Sequence, residues 1–99
     1  LSSEQVDRSE ALLRAEALIN GPRAVEYGDA LENLSRIATG WSVIAGTPIT
    51  AAQVAMMMAW LKMARVASAA PGDNAEDSYV DLLGYGALAC ELHWRQRRG

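Results

Sequence analysis

The run from Val54 to Ala70, VAMMMAWLKMARVASAA, is apolar apart from Lys62, Arg65 and Ser68. It suits a buried helix, and it is too short and too interrupted by charge to cross a bilayer. A chain that folds around it must supply apolar partners and must also account for two cations. At 100° per residue Lys62 and Arg65 stand about 60° apart, one turn along one face. A desolvated, unpaired cation is expensive, so a buried pair of this kind calls for an acidic side chain or an anionic ligand. The alternative is snorkelling, in which both heads reach water over apolar stems.

The rest of the chain reads as helices. Among its 99 residues 51% are hydrophobic, there is no Phe, and the surplus is Ala, Leu, Met and Val. Helix one is expected from about Ser3 to Ile19, opened by a Ser2/Gln5 capping box. Val6, Leu13 and Ala17, with Leu12 and Ile19, form its inward stripe, and Asn20-Gly21-Pro22 ends it. Arg23–Gly28 is a short connector. Helix two runs from about Asp29 to Ala45, with Leu31, Leu34, Ala38, Trp41 and Ala45 on one seam. Gly46–Thr50 is a tight turn. Thr50 then opens helix three as N-cap, Gln53 closes the capping box, and Ile49 staples to Val54. Helix three is apolar nearly all round, so it is expected to be the central, most buried helix. Ala70–Glu76 is a polar loop in which Asp73 with Glu76 caps helix four, which runs to about Arg95. No strand pattern and no linker appears. The expectation is one all-α domain over 1–99, a four-helix bundle-like fold. A core this small hides only part of its apolar surface, so self-association as a homo-oligomer is expected.

Several functions are disfavoured at once. The net charge of −3 speaks against nucleic-acid binding, and no direct DNA binding is expected. The basic cluster HWRQRRG fits a helix C-terminus, where cations offset the macrodipole. Cys90 is alone, which excludes an intrachain disulfide and points to a small core side chain in a reducing cytoplasm. No leader-like segment is visible. Metal sites of the Cys/His kind are excluded by the counts. GxxxxGK[ST], GxSxG and HExxH are absent, so an enzyme built on this chain would have to use carboxylates with a metal.

Two acidic stretches could meet the cations. In DSYVDLLGYG, Asp77 and Asp81 lie four apart and project from one helix face, with Gly84 on the same strip and Tyr85 beside it. A helical hairpin aligns Arg65 with Asp77 and Lys62 with Asp81. The result is either an ionic brace or a site in which the aspartates hold Mg²⁺ and the cations hold phosphate. An interior glycine such as Gly84 suits the close approach of another backbone or a planar ligand. In EYGDALEN, Asp29 and Glu32 have metal-pair spacing but fit a helix cap better. Asn33 and Tyr27 could offer hydrogen bonds to a polar ligand. Trp41, Trp60 and Trp94 belong to core or interface, Met56–Met58 fill the core, and His93 is a surface residue.

Three segments, RAVEYGDALENLSRIATGW, ITAAQVAMMMAWLKMAR and DSYVDLLGYGALA, resemble a small family of mostly phage-encoded helical proteins of unknown function. The shared pattern falls on Arg23, Tyr27, Gly28, Asp29, Asn33, Ile37, Ala38, Trp41, Lys62, Arg65, Asp77, Asp81, Gly84 and Tyr85. Gln53 departs from it, standing where the pattern has an acid. More distantly the layout is similar to all-α nucleoside triphosphate pyrophosphohydrolases of the MazG kind, which bind Mg²⁺ through acidic pairs on neighbouring helices. The resemblance implies a protein that binds a nucleotide or related phosphorylated small molecule in the infected cell's cytoplasm, and hydrolyses or sequesters it. It assigns Lys62 and Arg65 to phosphate, Asp77 and Asp81 to Mg²⁺ or to orienting the cations, Tyr27, Asn33 and Tyr85 to base or sugar, and Arg23 to the ligand without a closer role. The alternative is a non-enzymatic interaction module whose charges form a brace.

Overall fold

The computed structural model describes residues 6–21, 29–71, 73 and 75–98. Among them lie four helices and no strand: α1 (Arg8–Asn20), α2 (Ala30–Ala45), α3 (Ala51–Ala67) and α4 (Glu76–Arg98). The all-α expectation is met. The connector expected at Arg23–Gly28 lies outside the described residues.

α1 begins later than its sequence suggested. Asp7 is the N-cap, and its carboxylate accepts from the Glu10 amide at 2.8 Å. An acid there satisfies a free amide and favours the positive end of the dipole. The expected Ser2/Gln5 box lies outside the described residues. At the other end Gly21 is in extended backbone, and a Cβ on it would run into the Ala17 carbonyl. The inward face also differs from the expected one. Ala15 is buried and Ala11, Leu18 and Ile19 are half-buried, whereas Leu12 and Leu13 are 60% and 63% exposed. Ala17 is exposed too. Small residues face inward because α1 lies close on α4, where Ile19 reaches Gly84: a Cβ on that glycine would sit 3.2 Å from Ile19 Cγ2.

α2 follows its seam. Asp29 caps it, accepting from the Leu31 amide at 3.0 Å. Leu34 and Ala38 are buried, with Leu31, Ile37 and Trp41 packed beside them; Ala45, at the end, is exposed. Gly46 closes the helix with φ 73°, donating its amide to the Ser42 carbonyl at 2.9 Å. This left-handed cap is where glycine is required. Ser42 then ties the turn down. Its hydroxyl accepts from the Ile49 amide at 2.7 Å and donates to the Ala38 carbonyl at 2.7 Å.

α3 starts as expected. The Gln53 amide donates to Thr50 Oγ1 at 3.1 Å and the Thr50 amide donates to Gln53 Oε1 at 2.9 Å. Ala52, Val54 and Ala55 are buried and Ile49 packs against them. As expected, α3 is central and the most buried helix: it packs on both α2 and α4 and holds three buried residues, more than any other described helix. Its apolar character all round does not translate into burial all round. Met56, Met57, Trp60, Leu61 and Met63 are 45% exposed or more. Among the described residues, helices cover only one side of α3 and leave these five side chains largely uncovered.

α4 extends to Arg98, with Arg95, Arg97 and Arg98 in its last turn. Asp73 does not cap it. Its Oδ2 instead accepts from the Ala70 amide at 2.8 Å, closing the loop on the α3 side. Cys90 is exposed rather than a core side chain. The core is small: Leu34, Ala38, Val54, Ala55 and Leu88. α3 and α4 form its broadest interface, α2 lies on α3, and α1 on α4. No helix among the described residues is long and apolar enough to cross a membrane.

Candidate ligand site

The α3–α4 hairpin brings half of the expected charges together. Lys62 lies on the same side of α3 as Ala55 and Met58, facing α4. Its Nζ stands 3.0 Å from Asp81 Oδ2, and the two side chains are 15% and 29% exposed. Snorkelling is therefore not what Lys62 does. The cation is shielded and matched by a carboxylate from the facing helix, as a desolvated charge requires.

Arg65 does not follow. Asp77 and Arg65 are both exposed, and no ion pair joins them among the described residues. The rotation of about 60° between Lys62 and Arg65 explains the difference, because it carries the guanidinium from the groove to its rim. There Arg65 lines an open depression of about 350 Å³ with Ser68, Ala69, Asp73, Ala75 and Ser78. Sequence reading did not single out the two serines. Ser78 sits inside the DSYVD motif, but only the path of the loop shows that it faces the same hollow as Ser68.

The remaining candidates scatter. Tyr85 packs against the core cluster, and Gly84 is filled by Ile19 rather than left open for a planar ligand. Asn33 and Glu32 are exposed on α2, and Asp29 serves as the cap. Arg23 and Tyr27 lie outside the described residues. Of the two aspartates expected to hold Mg²⁺, Asp81 has its Oδ2 engaged by the Lys62 ammonium and Asp77 is exposed. Among the described residues no group of three or more His, Cys, Asp or Glu side chains is placed to hold a metal ion.

A family model described as a domain of unknown function, DUF6378, matches residues 10–93, and so takes in α2, α3 and the paired charges. The chain belongs to that family. This DUF6378 chain is also similar to the Gene 55 protein of Mycobacterium phage L5, at 44% identity over 78 residues. The alignment covers 78% of this chain and 48% of the phage protein, so the chain spans about half the length of that relative. No solved structure matches it. The chain is thus one of a small, phage-related helical family whose function is unknown.

Proposed function

We propose that this DUF6378 chain binds a nucleotide or related phosphorylated small molecule in the cytoplasm of a phage-infected cell. The observation that carries the reading is Arg65, an exposed guanidinium with no ion pair among the described residues, beside Ser68 and Ser78 at one depression. A guanidinium fork meets phosphate oxygens with two parallel hydrogen bonds, and the Ser78 hydroxyl can add another, whereas the Ser68 hydroxyl donates to the Arg65 carbonyl at 3.3 Å. A hollow of about 350 Å³ is within the size range of small-molecule sites. Lys62 and Asp81 contribute by holding α3 and α4 in the register that sets this rim. A nucleotide as the phosphate carrier is proposed from the sequence reading alone, since the acidic pairs of a MazG-like site are not assembled among the described residues. No hydrolytic step follows from the carboxylates as they stand, so sequestration is the simpler activity.

The test is a melting-temperature screen against nucleotides and cyclic dinucleotides, with and without Mg²⁺. A ligand that raises the melting temperature of the wild-type chain should not do so for Arg65→Ala, whose unliganded melting temperature should be unchanged. A blank screen at millimolar ligand, or a shift that Arg65→Ala retains, refutes the reading. Magnesium-dependent pyrophosphate release would turn binder into enzyme. A second reading, a non-enzymatic interaction module with Lys62–Asp81 as a brace, is favoured by the uncovered apolar side of α3.

A further inference from the structure

A helix that faces solvent ordinarily turns its charges there. α3 does the reverse. Lys62 is turned inward onto Asp81, and Arg65 stands at the margin of the hairpin. The outer face carries no charge at all. Met56, Trp60, Met63 and Ala67 follow at steps of four, three and four residues, the spacing of a helix–helix seam. Trp60 is 68% exposed and Met56 59%, and Met57 and Leu61 flank them. Scattered surface hydrophobics need no explanation, but a continuous strip of them does.

We infer that this face of α3 is the contact between two copies of the chain, seam against seam about a two-fold axis. Three observations favour a second copy as the occupant. A two-fold contact sets each patch against itself, and a strip without charge meets no like-charge repulsion when it does so. The area is of the right order: Met56, Met57, Trp60, Leu61 and Met63 are each 45% exposed or more, and at about 200 Å² for a large side chain their exposed parts offer about 500 Å² per copy. A standard interface uses about 800 Å² per partner and a small reversible one less than about 600 Å², so the strip matches a small, reversible dimer. Finally, the interior is thin, since Val54 is the only large side chain fully buried among the described residues. Covering Trp60 and the methionines gives the fold the apolar burial it otherwise lacks. The inference is independent of the ligand reading.

Sedimentation equilibrium on the wild-type chain at micromolar concentrations tests it. The expected result is a reversible dimer. Trp60→Glu and Met63→Lys should each weaken it by about thirtyfold or more, as loss of a central anchor does. Far-UV circular dichroism of each variant reports whether the helices persist. Leu13→Glu, on the exposed side of α1, should leave the dimer intact. A wild-type chain that stays monomeric overturns the inference and gives the seam to some other partner. Dimers that survive both α3 substitutions, or that Leu13→Glu dissociates equally, overturn it as well. The mass measurement contains no nucleotide, so its failure is distinct from failure of the ligand screen.

Discussion

Removing the carboxylate of Asp81 leaves the Lys62 ammonium with no partner in the groove between α3 and α4. Loss of one member of a fully buried pair costs about 3–5 kcal/mol, because the survivor stays desolvated. An exposed pair is worth about 0–1 kcal/mol. With side chains 15% and 29% exposed and a separation of 3.0 Å, this pair lies nearer the buried limit. Partial access to water still relieves the survivor, so Asp81→Ala should destabilise by about 2 kcal/mol. For a domain of this size that lowers Tm by about 8–15 °C. Replacing both partners tells more than replacing one. Lys62→Met with Asp81→Leu removes the charges together and keeps the volume, and should return to within about 1 kcal/mol of wild type. Urea unfolding of wild type, both single variants and the double variant, followed by far-UV circular dichroism, closes the cycle. Single substitutions that change stability by less than about 0.5 kcal/mol and add without coupling would refute the claim that the pair is shielded.

Three further outcomes follow from the backbone and the turns. Ser42→Ala leaves the Ile49 amide without its acceptor and should destabilise by about 1–2 kcal/mol in the same urea assay. Gly40 is exposed, with nothing within 4 Å of an added Cβ, so Gly40→Ala should stabilise α2 by about 0.5–1 kcal/mol. At Gly84 the helical gain is opposed by the Ile19 methyl at 3.2 Å. Gly84→Ala should therefore raise Tm more in an Ile19→Ala background than in wild type; equal shifts in both would show that α1 does not press on α4 there.

Most of the architecture could be read from short-range chemistry. Thr50 and Gln53 announce the start of α3 because two side chains and two amides satisfy one another within a single turn. Asp29 marks the start of α2 more simply, with one carboxylate accepting from one amide. The Lys62–Asp81 pair was legible because an antiparallel hairpin fixes which turns face each other. Arg65 with Asp77 failed one turn further on, where α3 is about to end and the same rotation points outward. α1 misled because Leu12 and Leu13 are adjacent and so define no direction, while the alanines that face α4 leave no strong pattern. Ala15 faces inward because Gly84 lets the helices approach, and that depends on two segments far apart in the chain. The exposure of Met56 and Trp60 was hidden for a related reason. Periodicity tells a half-apolar helix from a polar one, but a helix apolar on all sides gives no sign of which side its own chain will leave bare.

The way α1 is held has a consequence for the order in which the fold comes apart. It rests chiefly on α4, through the Ile19–Gly84 contact and the Arg14–Glu76 ion pair at 3.5 Å, whose side chains are both more than two-fifths exposed. Only Ile19 reaches the Leu34–Val54–Leu88 cluster, from its edge, and the interface of α1 with α4 is much smaller than that of α3 with α4. Detaching α1 therefore uncovers less apolar surface than parting α3 from α4 does. Native-state hydrogen exchange should find the amides of α1 exchanging through a cheaper, separate opening while those of α3 and α4 wait for the whole molecule to unfold.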